Sequence, residues 1–469
     1  MKQSNYRRYH IETKQVADIV SWPGRFRPKV KRHRLAIHIL KEIIHYRGNR
    51  KVIFSRPCIY GTYGRPVGGM APRYDVCVGC LRCTTEHPDW VQVYRNPKFE
   101  RLGDSYLTAY NMDAIHYESQ TGRIPVKGAG YRGRFGGDGW DGMWTDMSEI
   151  VRPTRDGIHG REFISTIVDI GGKPSFLTFD EWGIPAGSSP HIISIPLPIL
   201  LDVPPTSVAS RRLFNIIAQA AKETETLAII PVTAINEFGF HDDHIVPFVE
   251  EKDQGELLEL TYEPIMIELT EWNDELYDAI QSRFPRSLLC LRIPFNNQFQ
   301  ERLLQYFHSG IRVFHLVTDY HGRSANGEFI LELIRKAHQT FVDVGIRDEV
   351  TLLGSGGIIA AEHIPKAIIC GLDAVALDIV LPLALQAQMV GECTDHDTCQ
   401  LRFPKKVPVD WGVQRIKNLL ASWRDQMLEI LGAMGLREVR RLRGETGRAM
   451  FQKEMEDEAF RGVTGYVNN

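Results

Sequence analysis

The chain contains 469 residues, 43% of them hydrophobic, and a chain of this size can bury a large core in more than one structural unit. Its 56 basic and 58 acidic residues give a formal net charge of -2, so no global field favours nucleic acid as a partner. Eight cysteines are too sparse for a disulfide scaffold and favour a reducing compartment. Because we find neither a signal peptide nor an uninterrupted apolar span, we expect a cytoplasmic protein without a transmembrane segment.

The N-terminal region combines a basic segment with an apolar helical pattern. Residues 25–34 include six Lys and Arg side chains, and the apolar residues that follow recur at helical spacing: Leu35, Ile39, Leu40, Ile43 and Ile44. Such a helix can dock on a membrane surface or on a partner subunit. We favour the simpler interpretation, a solvated basic turn leading into a helix that packs on its own domain.

Three cysteines lie within seven residues and predict an iron-sulfur site. Cys77, Cys80 and Cys83 have the spacing by which a tight loop wraps one cubane cluster, so we predict a 4Fe-4S cluster. Bacterial ferredoxins continue this run with three residues and Cys-Pro, whereas here His87 precedes the proline. The fourth ligand must then come from elsewhere, with Cys58 as first choice and His87 as second. Structural zinc sites usually use two separated cysteine pairs, which makes zinc the weaker interpretation.

Strand and helix patterns alternate from about residue 192 onward, which predicts a parallel sheet covered by helices. Seven strong strands and a weak one near residues 245–249 favour a closed (β/α)8 TIM barrel. The predicted strands are 197–201, 227–232, 245–249, 264–269, 287–293, 311–317, 350–353 and 373–377. We therefore predict an α/β protein with three domains: an irregular iron-sulfur segment at 1–160, the barrel at 161–400 and a helical appendix at 401–469.

The sequence Gly354-Ser355-Gly356-Gly357, with the helical and strand patterns that follow it, resembles the FMN-binding glutamate synthase family, in particular its archaeal-type members. The resemblance covers roughly residues 164–450 and implies a flavin-binding type of barrel. In that family such a turn follows strand seven, and its backbone N-H groups hold the flavin phosphate. The resemblance implies that these four residues bind FMN, and Arg292 stands where the family has a lysine after strand five.

Several loops depart from the family pattern. After strand one the chain reads Leu201-Asp202-Val203-Pro204-Pro205, and each proline removes a backbone donor. After strand eight it has Asp378, where flavin barrels commonly offer a glycine with Arg or Thr to the phosphate. A carboxylate there is unfavourable unless it points away from the phosphate. Only Cys393 and Cys399 remain of a cysteine motif after the barrel, so we expect no second cluster.

These features predict a glutamate synthase-like, flavin-dependent iron-sulfur oxidoreductase. Electrons would pass from the cluster to FMN and then to an imine or 2-oxo acid substrate. The expected partners are a redox protein or other subunits, with a small-molecule substrate if flavin binds. The alternative is a non-catalytic electron-transfer or scaffold subunit of a larger redox complex, with a degenerate flavin barrel. The sequence names no catalytic residue.

Overall fold

The computed structural model describes residues 9–49, 53, 58–63, 70–125, 137–145, 163–174, 176–186 and 191–465. Two compact units are present. The cysteine-bearing unit contains the described residues of Asp18–Met112, and the barrel unit contains those of Met1–Ala17, Asp113–Pro125 and Gly133–Asn469. The predicted domain boundary at residues 160 and 161 lies outside the described residues.

The cysteine-bearing unit is built on one antiparallel strand pair, in which β1 (Phe26–Val30) lies beside β2 (Val91–Arg95). Helix α1 (Arg32–His45) follows the first strand, and the short helix α2 (Arg82–Glu86) begins within the cysteine run. Leu35 of α1 is buried, whereas Leu40 and Ile44 are 58% and 71% exposed. The predicted helix is present, but much of its apolar stripe faces solvent.

The barrel unit contains a closed barrel of eight parallel strands, as the strand count predicts. The barrel strands are β8 (Ile199–Leu201), β9 (Ala228–Pro231), β10 (Ile245–Val249), β11 (Met266–Leu269), β12 (Leu288–Pro294), β13 (Val313–Val317), β14 (Thr351–Ser355) and β15 (Ala374–Leu377). The last strand pairs with the first through Ala376 and Leu200, which closes the barrel. The weakest predicted strand, 245–249, is β10. The predicted α/β barrel fold is therefore confirmed.

The remaining described elements surround or extend this barrel. Short strands outside it are β3 (Met143–Thr145), β4 (Val168–Gly171), β5 (Thr178–Phe179), β6 (Pro185–Ala186), β7 (Ile192–Ile195), β16 (Gln388–Met389), β17 (Leu401–Arg402) and β18 (Ala449–Phe451). The α-helices are α3 (Ala109–Thr121), α4 (Arg211–Glu223), α5 (Val232–Phe238), α6 (Gln254–Leu258), α7 (Asp274–Arg283), α8 (Phe299–His308), α9 (Ile330–Asp343), α10 (His363–Cys370), α11 (Val380–Ala384), α12 (Val409–Ala433) and α13 (Gln452–Phe460). Within the described ranges, we find no helix that has both the length and the apolar character to cross a bilayer.

The long helix α12 packs closely against the barrel. A Cβ at Gly412 would lie 2.7 Å from Ile216 Cδ1 of α4, so only glycine permits this approach. Trp423 is buried and donates its indole N-H to Glu118 at 2.8 Å. Arg415 is buried too, and it donates to the Ser119 hydroxyl at 2.7 Å. The helix that follows the barrel is thus part of the barrel unit's core.

A buried ion pair lies at the amino ends of the last two barrel strands. Arg347 donates to Asp373 Oδ2 at 2.8 Å and also to the Gly371 carbonyl at 2.6 Å. Asp373 in turn accepts the Leu352 backbone N-H at 2.8 Å, so the pair ties β14 to the residue that precedes β15. Because the guanidinium is buried, loss of its carboxylate partner would leave an uncompensated charge.

We expect the change Asp373→Ala to lower the free energy of unfolding by about 3 kcal/mol, because it leaves Arg347 buried and unpaired. Asp348→Ala is the matched control, since Asp348 contacts Arg443 nearby but its side chain is 73% exposed. We expect that control to cost less than about 1 kcal/mol. Urea titration of both variants followed by far-ultraviolet circular dichroism would measure the difference, and equal losses would contradict the interpretation.

Candidate active site and cysteine cluster

The carboxyl ends of five barrel strands bring charged and polar side chains together. Asp202 follows β8, Glu268 lies in β11, Arg292 in β12 and His315 in β13, while Asp378 follows β15. All of them except Arg292 are fully buried or nearly so, and the Arg292 side chain is only 16% exposed. This end of a (β/α)8 barrel is where the loops of such enzymes build their active sites.

Arg292 is held between two carboxylates. Its Nε donates to Glu268 Oε1 and its Nη2 donates to Asp202 Oδ1, while the guanidinium lies 4.8 Å from the centre of the Phe248 ring. Burial would lower the pKa of Arg292, but the two carboxylates outweigh it and raise that pKa. The guanidinium is therefore a permanent cation neutralised within the protein. The predicted contact of Arg292 with a cofactor stays a prediction.

Glu268 and His315 form the most enclosed part of this cluster. His315 Nδ1 lies 3.0 Å from Glu268 Oε1, and its Nε2 lies 3.9 Å from Asp202 Oδ2. Burial alone would raise the pKa of Glu268, but Arg292 and His315 lower it to about 2. Glu268 Oε2 and His315 Nε2 are buried without a hydrogen-bond partner among the described residues. Buried polar atoms are normally paired, so these two are available to a small polar ligand or a water molecule.

The predicted phosphate turn lies at the end of β14, with Ser355 as the last strand residue. Gly356 and Gly357 adopt left-handed backbone conformations, with φ of +90° and +67°. A Cβ at Gly356 would lie 2.2 Å from Thr318 Oγ1, so the turn requires glycine for space as well as for conformation. Trp140 closes the turn from outside, because its indole N-H donates to the Gly357 carbonyl at 2.9 Å.

Asp378 points into this turn and not away from it. The Gly356 N-H donates to Asp378 Oδ2 at 3.1 Å, and the Ile379 N-H donates to Asp378 Oδ1 at 2.6 Å. Burial and the neighbouring Asp202 raise the pKa of Asp378 to about 7. A loop amide that would face a phosphate is thus already paired with a carboxylate. A flavin phosphate does not fit beside this carboxylate while it is charged and in this position.

A loop after β16 joins two of the loops at this end of the barrel. The Thr206 N-H, from the loop after β8, donates to the His396 carbonyl at 3.1 Å. Tyr320, from the loop after β13, places its hydroxyl 3.3 Å from His396 Nδ1. Cys393 and Cys399 at the two ends of this loop are joined as a disulfide. These two thiols pair with each other and offer no cluster ligand.

The predicted cluster ligands converge in the cysteine-bearing unit. Cys58, Cys77, Cys80 and Cys83 are all free thiols. Burial raises the pKa of Cys77, and the nearby thiols of Cys83, Cys58 and Cys80 raise it further. These thiols are therefore close enough for their charges to act on Cys77.

Two donors face the cysteine sulfurs, as polar groups around a cluster should. The Gly79 N-H hydrogen-bonds to the Cys77 sulfur, and the Tyr63 hydroxyl donates to the Cys83 sulfur at 3.6 Å. Gly79 and Leu81 adopt left-handed conformations with φ of +69° and +61°, which curl the loop between the ligands. Hydrogen bonds to the sulfurs are one way in which a protein sets the potential of an iron-sulfur cluster. The four thiols and their donors fit such a group.

His87, the second candidate for the fourth ligand, lies in an aromatic cluster. Its ring stacks on Trp90 at 4.8 Å between centroids and contacts His38 edge-on at 4.7 Å. Cys58 instead contacts the Thr62 hydroxyl at 3.6 Å and acts on the same tyrosine, Tyr63, as Cys77 and Cys83. This arrangement favours Cys58 over His87.

The sequence predictions missed Glu268, His315 and Trp140. A signal exists for the first two, since each is a single polar residue inside an otherwise apolar run that becomes a buried strand. Such a residue needs a partner within the protein or from a ligand. Trp140 carries no comparable signal, because it lies in a glycine-rich stretch far from the turn that it contacts.

Comparisons with known proteins find similarity to glutamate synthases. Residues 321–437 match a conserved region in glutamate synthase. An archaeal-type glutamate synthase [NADPH] from Dehalococcoides mccartyi is 22% identical over 440 residues, which cover 78% of this chain and 85% of that protein. An archaeal glutamate synthase [NADPH] from Methanocaldococcus jannaschii is 29% identical over 133 residues, and this chain covers 26% of its length. A mandelate oxidase variant structure overlaps 64% of this chain and 98% of its own chain, at 15% identity and a TM-score of 0.38.

The raised pKa of Asp378 predicts a pH-dependent stability. The folded protein holds this proton to about pH 7, whereas the unfolded chain releases it near the ordinary aspartate pKa of 3.8. The folded state therefore binds more protons in this window, and stability falls as pH rises through it. Relative to Asp378→Asn, we expect the wild type to lose about 2–3 kcal/mol between about pH 5 and about pH 8.

Urea titrations at several pH values would measure this loss. Asp397→Asn removes the same charge from an exposed position on the loop after β16 and serves as control. The prediction would be contradicted if the free energies of unfolding of the wild type and of Asp378→Asn changed equally with pH.

Proposed function

We propose that this chain, a member of the FMN-binding glutamate synthase family, is a flavin-dependent iron-sulfur oxidoreductase of the glutamate synthase type. One observation carries the proposal. The matched region, 321–437, contains the glycine-rich turn and the last two strands of the closed barrel. In flavin barrels this segment lies at the cofactor site, and because Asp378 already pairs with the turn, the proposal rests on the matched segment and not on a phosphate contact. The relatives named as glutamate synthases support the same reaction class.

The cysteine-bearing unit supports the iron-sulfur part of the proposal. Cys58, Cys77, Cys80 and Cys83 would hold one 4Fe-4S cluster, which supplies one-electron transfer when bound. The backbone N-H of Gly79 would stabilise the reduced, more negative state by donating to a ligand sulfur. We expect a redox protein or another subunit to supply the electrons.

The charged cluster of the barrel supports a small polar substrate. A 2-oxo acid carries a carboxylate and a carbonyl oxygen, and the imine formed from it carries a nitrogen in place of that oxygen; these atoms need hydrogen-bond partners when buried. The unpaired His315 Nε2 and Glu268 Oε2 are polar atoms of this kind. Glu268 stays ionised at neutral pH, because Arg292 and His315 overcome the effect of burial and keep its pKa at about 2. A cationic nitrogen is therefore favoured beside it.

An absorbance spectrum of the purified chain with iron, sulfide and flavin analysis would test the proposal. We expect about four iron atoms per chain, as a cubane cluster requires, and a flavin band after reconstitution with FMN or riboflavin. Oxidation of a reduced electron donor in the presence of 2-oxoglutarate and ammonia would then measure the reaction. A cluster spectrum without flavin binding under any condition would favour a non-catalytic electron-transfer subunit instead.

The fourth cluster ligand can be identified by substitution. We expect Cys58→Ser to lose most of the bound iron or to hold a cluster with fewer iron atoms, because a hydroxyl binds iron less well than a thiolate. His87→Asn should keep the full iron content, since the His87 ring packs on Trp90 and His38.

Iron analysis and electron paramagnetic resonance of the reduced protein would compare the two variants. Cys370→Ser is the control, because Cys370 is a buried free thiol of the barrel unit. Iron lost from His87→Asn but retained in Cys58→Ser would reverse the assignment.

A further inference from the structure

The glycine-rich turn of the barrel already holds an anion that belongs to the protein. Gly356 follows β14, Asp378 follows β15, and these adjacent strands pair at Gly354 and Val375. The carboxylate reaches across this junction to the Gly356 N-H at 3.1 Å. Its second oxygen accepts the Ile379 N-H at 2.6 Å. Both oxygens therefore accept backbone N-H groups, as the oxygens of a phosphate would.

Among the described residues, no Lys or Arg side chain forms an ion pair with Asp378 within hydrogen-bond distance. Asp202, at the end of β8, is a second carboxylate and raises the pKa of Asp378. Arg292 acts on Asp378 from β12, but its hydrogen bonds go to Asp202 and Glu268. From the loop after β13, Tyr320 is buried, and Asp378 raises the pKa of its hydroxyl. A further anion at this turn would face the charges of Asp202 and Asp378 together.

We infer that Asp378 is a built-in anion that occupies the phosphate position of the glycine-rich turn, so that the barrel gains no affinity from a phosphate group on its flavin. By this inference the natural ligand is a flavin or a flavin-like ring system, and a terminal phosphate does not increase its affinity for the barrel. The identity of the ligand rests on the proposed function. The behaviour of the turn toward phosphate does not, because it depends only on Asp378 and the amides around it.

Two substitutions separate the effect of the Asp378 charge from the effect of the space that its side chain fills. Asp378→Asn keeps the shape of the side chain and an oxygen that accepts a backbone N-H, but it removes the charge. Asp378→Gly also removes the side chain and frees the Gly356 N-H for an external anion. Asp397→Asn, at an exposed position, is the control for a change in net charge. Circular dichroism would establish that each variant is folded before binding is measured.

The first measurement compares FMN with riboflavin at about pH 8, where Asp378 is mostly charged. Fluorescence quenching would give the two dissociation constants for each full-length variant. We expect the dissociation constants for the two flavins to agree within about threefold for the wild type and for Asp397→Asn. Asp378→Asn and Asp378→Gly should bind FMN about tenfold or more tightly than riboflavin, because the repulsion between the Asp378 carboxylate and the FMN phosphate is gone. A wild type that prefers FMN by tenfold or more would overturn the inference, as would an unchanged ratio in both Asp378 variants.

The second measurement uses inorganic phosphate and no flavin. We expect millimolar phosphate to raise the melting temperature of Asp378→Gly more than that of the wild type, with sulfate behaving similarly and chloride not. Phosphate stabilisation of Asp378→Gly without flavin binding by any variant would uphold the inference and count against the proposed function. Flavin binding with no phosphate effect in Asp378→Gly would support the proposed function and overturn the inference.

Discussion

A guanidinium buried at the mouth of a barrel must be neutralised where it lies, and much of this site follows from that constraint. Asp202 and Glu268 meet the charge of Arg292 from the first and fourth barrel strands, while Arg292 itself lies on the fifth. None of these residues is near another in sequence, so the arrangement exists only when the barrel is closed. Loss of one partner would leave an uncompensated buried charge, which is costly in a medium of low polarity.

The same constraint explains the unusual state of Asp378. Burial and the neighbouring Asp202 raise the pKa of Asp378 to about 7. Arg292 opposes this rise only in part, because it donates its hydrogen bonds to the other two carboxylates. Backbone N-H groups of Gly356 and Ile379 are the partners that remain for it. A glycine-rich turn and a carboxylate on the neighbouring strand thus satisfy each other. The barrel keeps the architecture of an anion site while its own side chain supplies the anion.

The two units differ in how closely they follow the chemistry that their motifs indicate. In the cysteine-bearing unit, the thiol of Cys58 acts on Cys77, and Gly79 and Tyr63 donate to the sulfurs of Cys77 and Cys83. Each of these features suits a bound cluster. In the barrel unit the eight strands close into the predicted barrel, but polar side chains surround the glycine-rich turn. The similarity to glutamate synthases supports an oxidoreductase.

The sequence by itself determined the fold class, because apolar periodicity reports which faces of strands and helices are buried. Even the weakest predicted strand, 245–249, lies where the pattern places it. The spacing of Cys77, Cys80 and Cys83 likewise identifies a candidate metal loop, since that signal is local. The direction of Asp378, the pairing of Arg292 with Glu268 and the contact of Trp140 with Gly357 were decided only by the tertiary structure. Each joins residues far apart in the chain, and a side chain's partner across a barrel depends on closure and strand stagger, which local pattern does not encode.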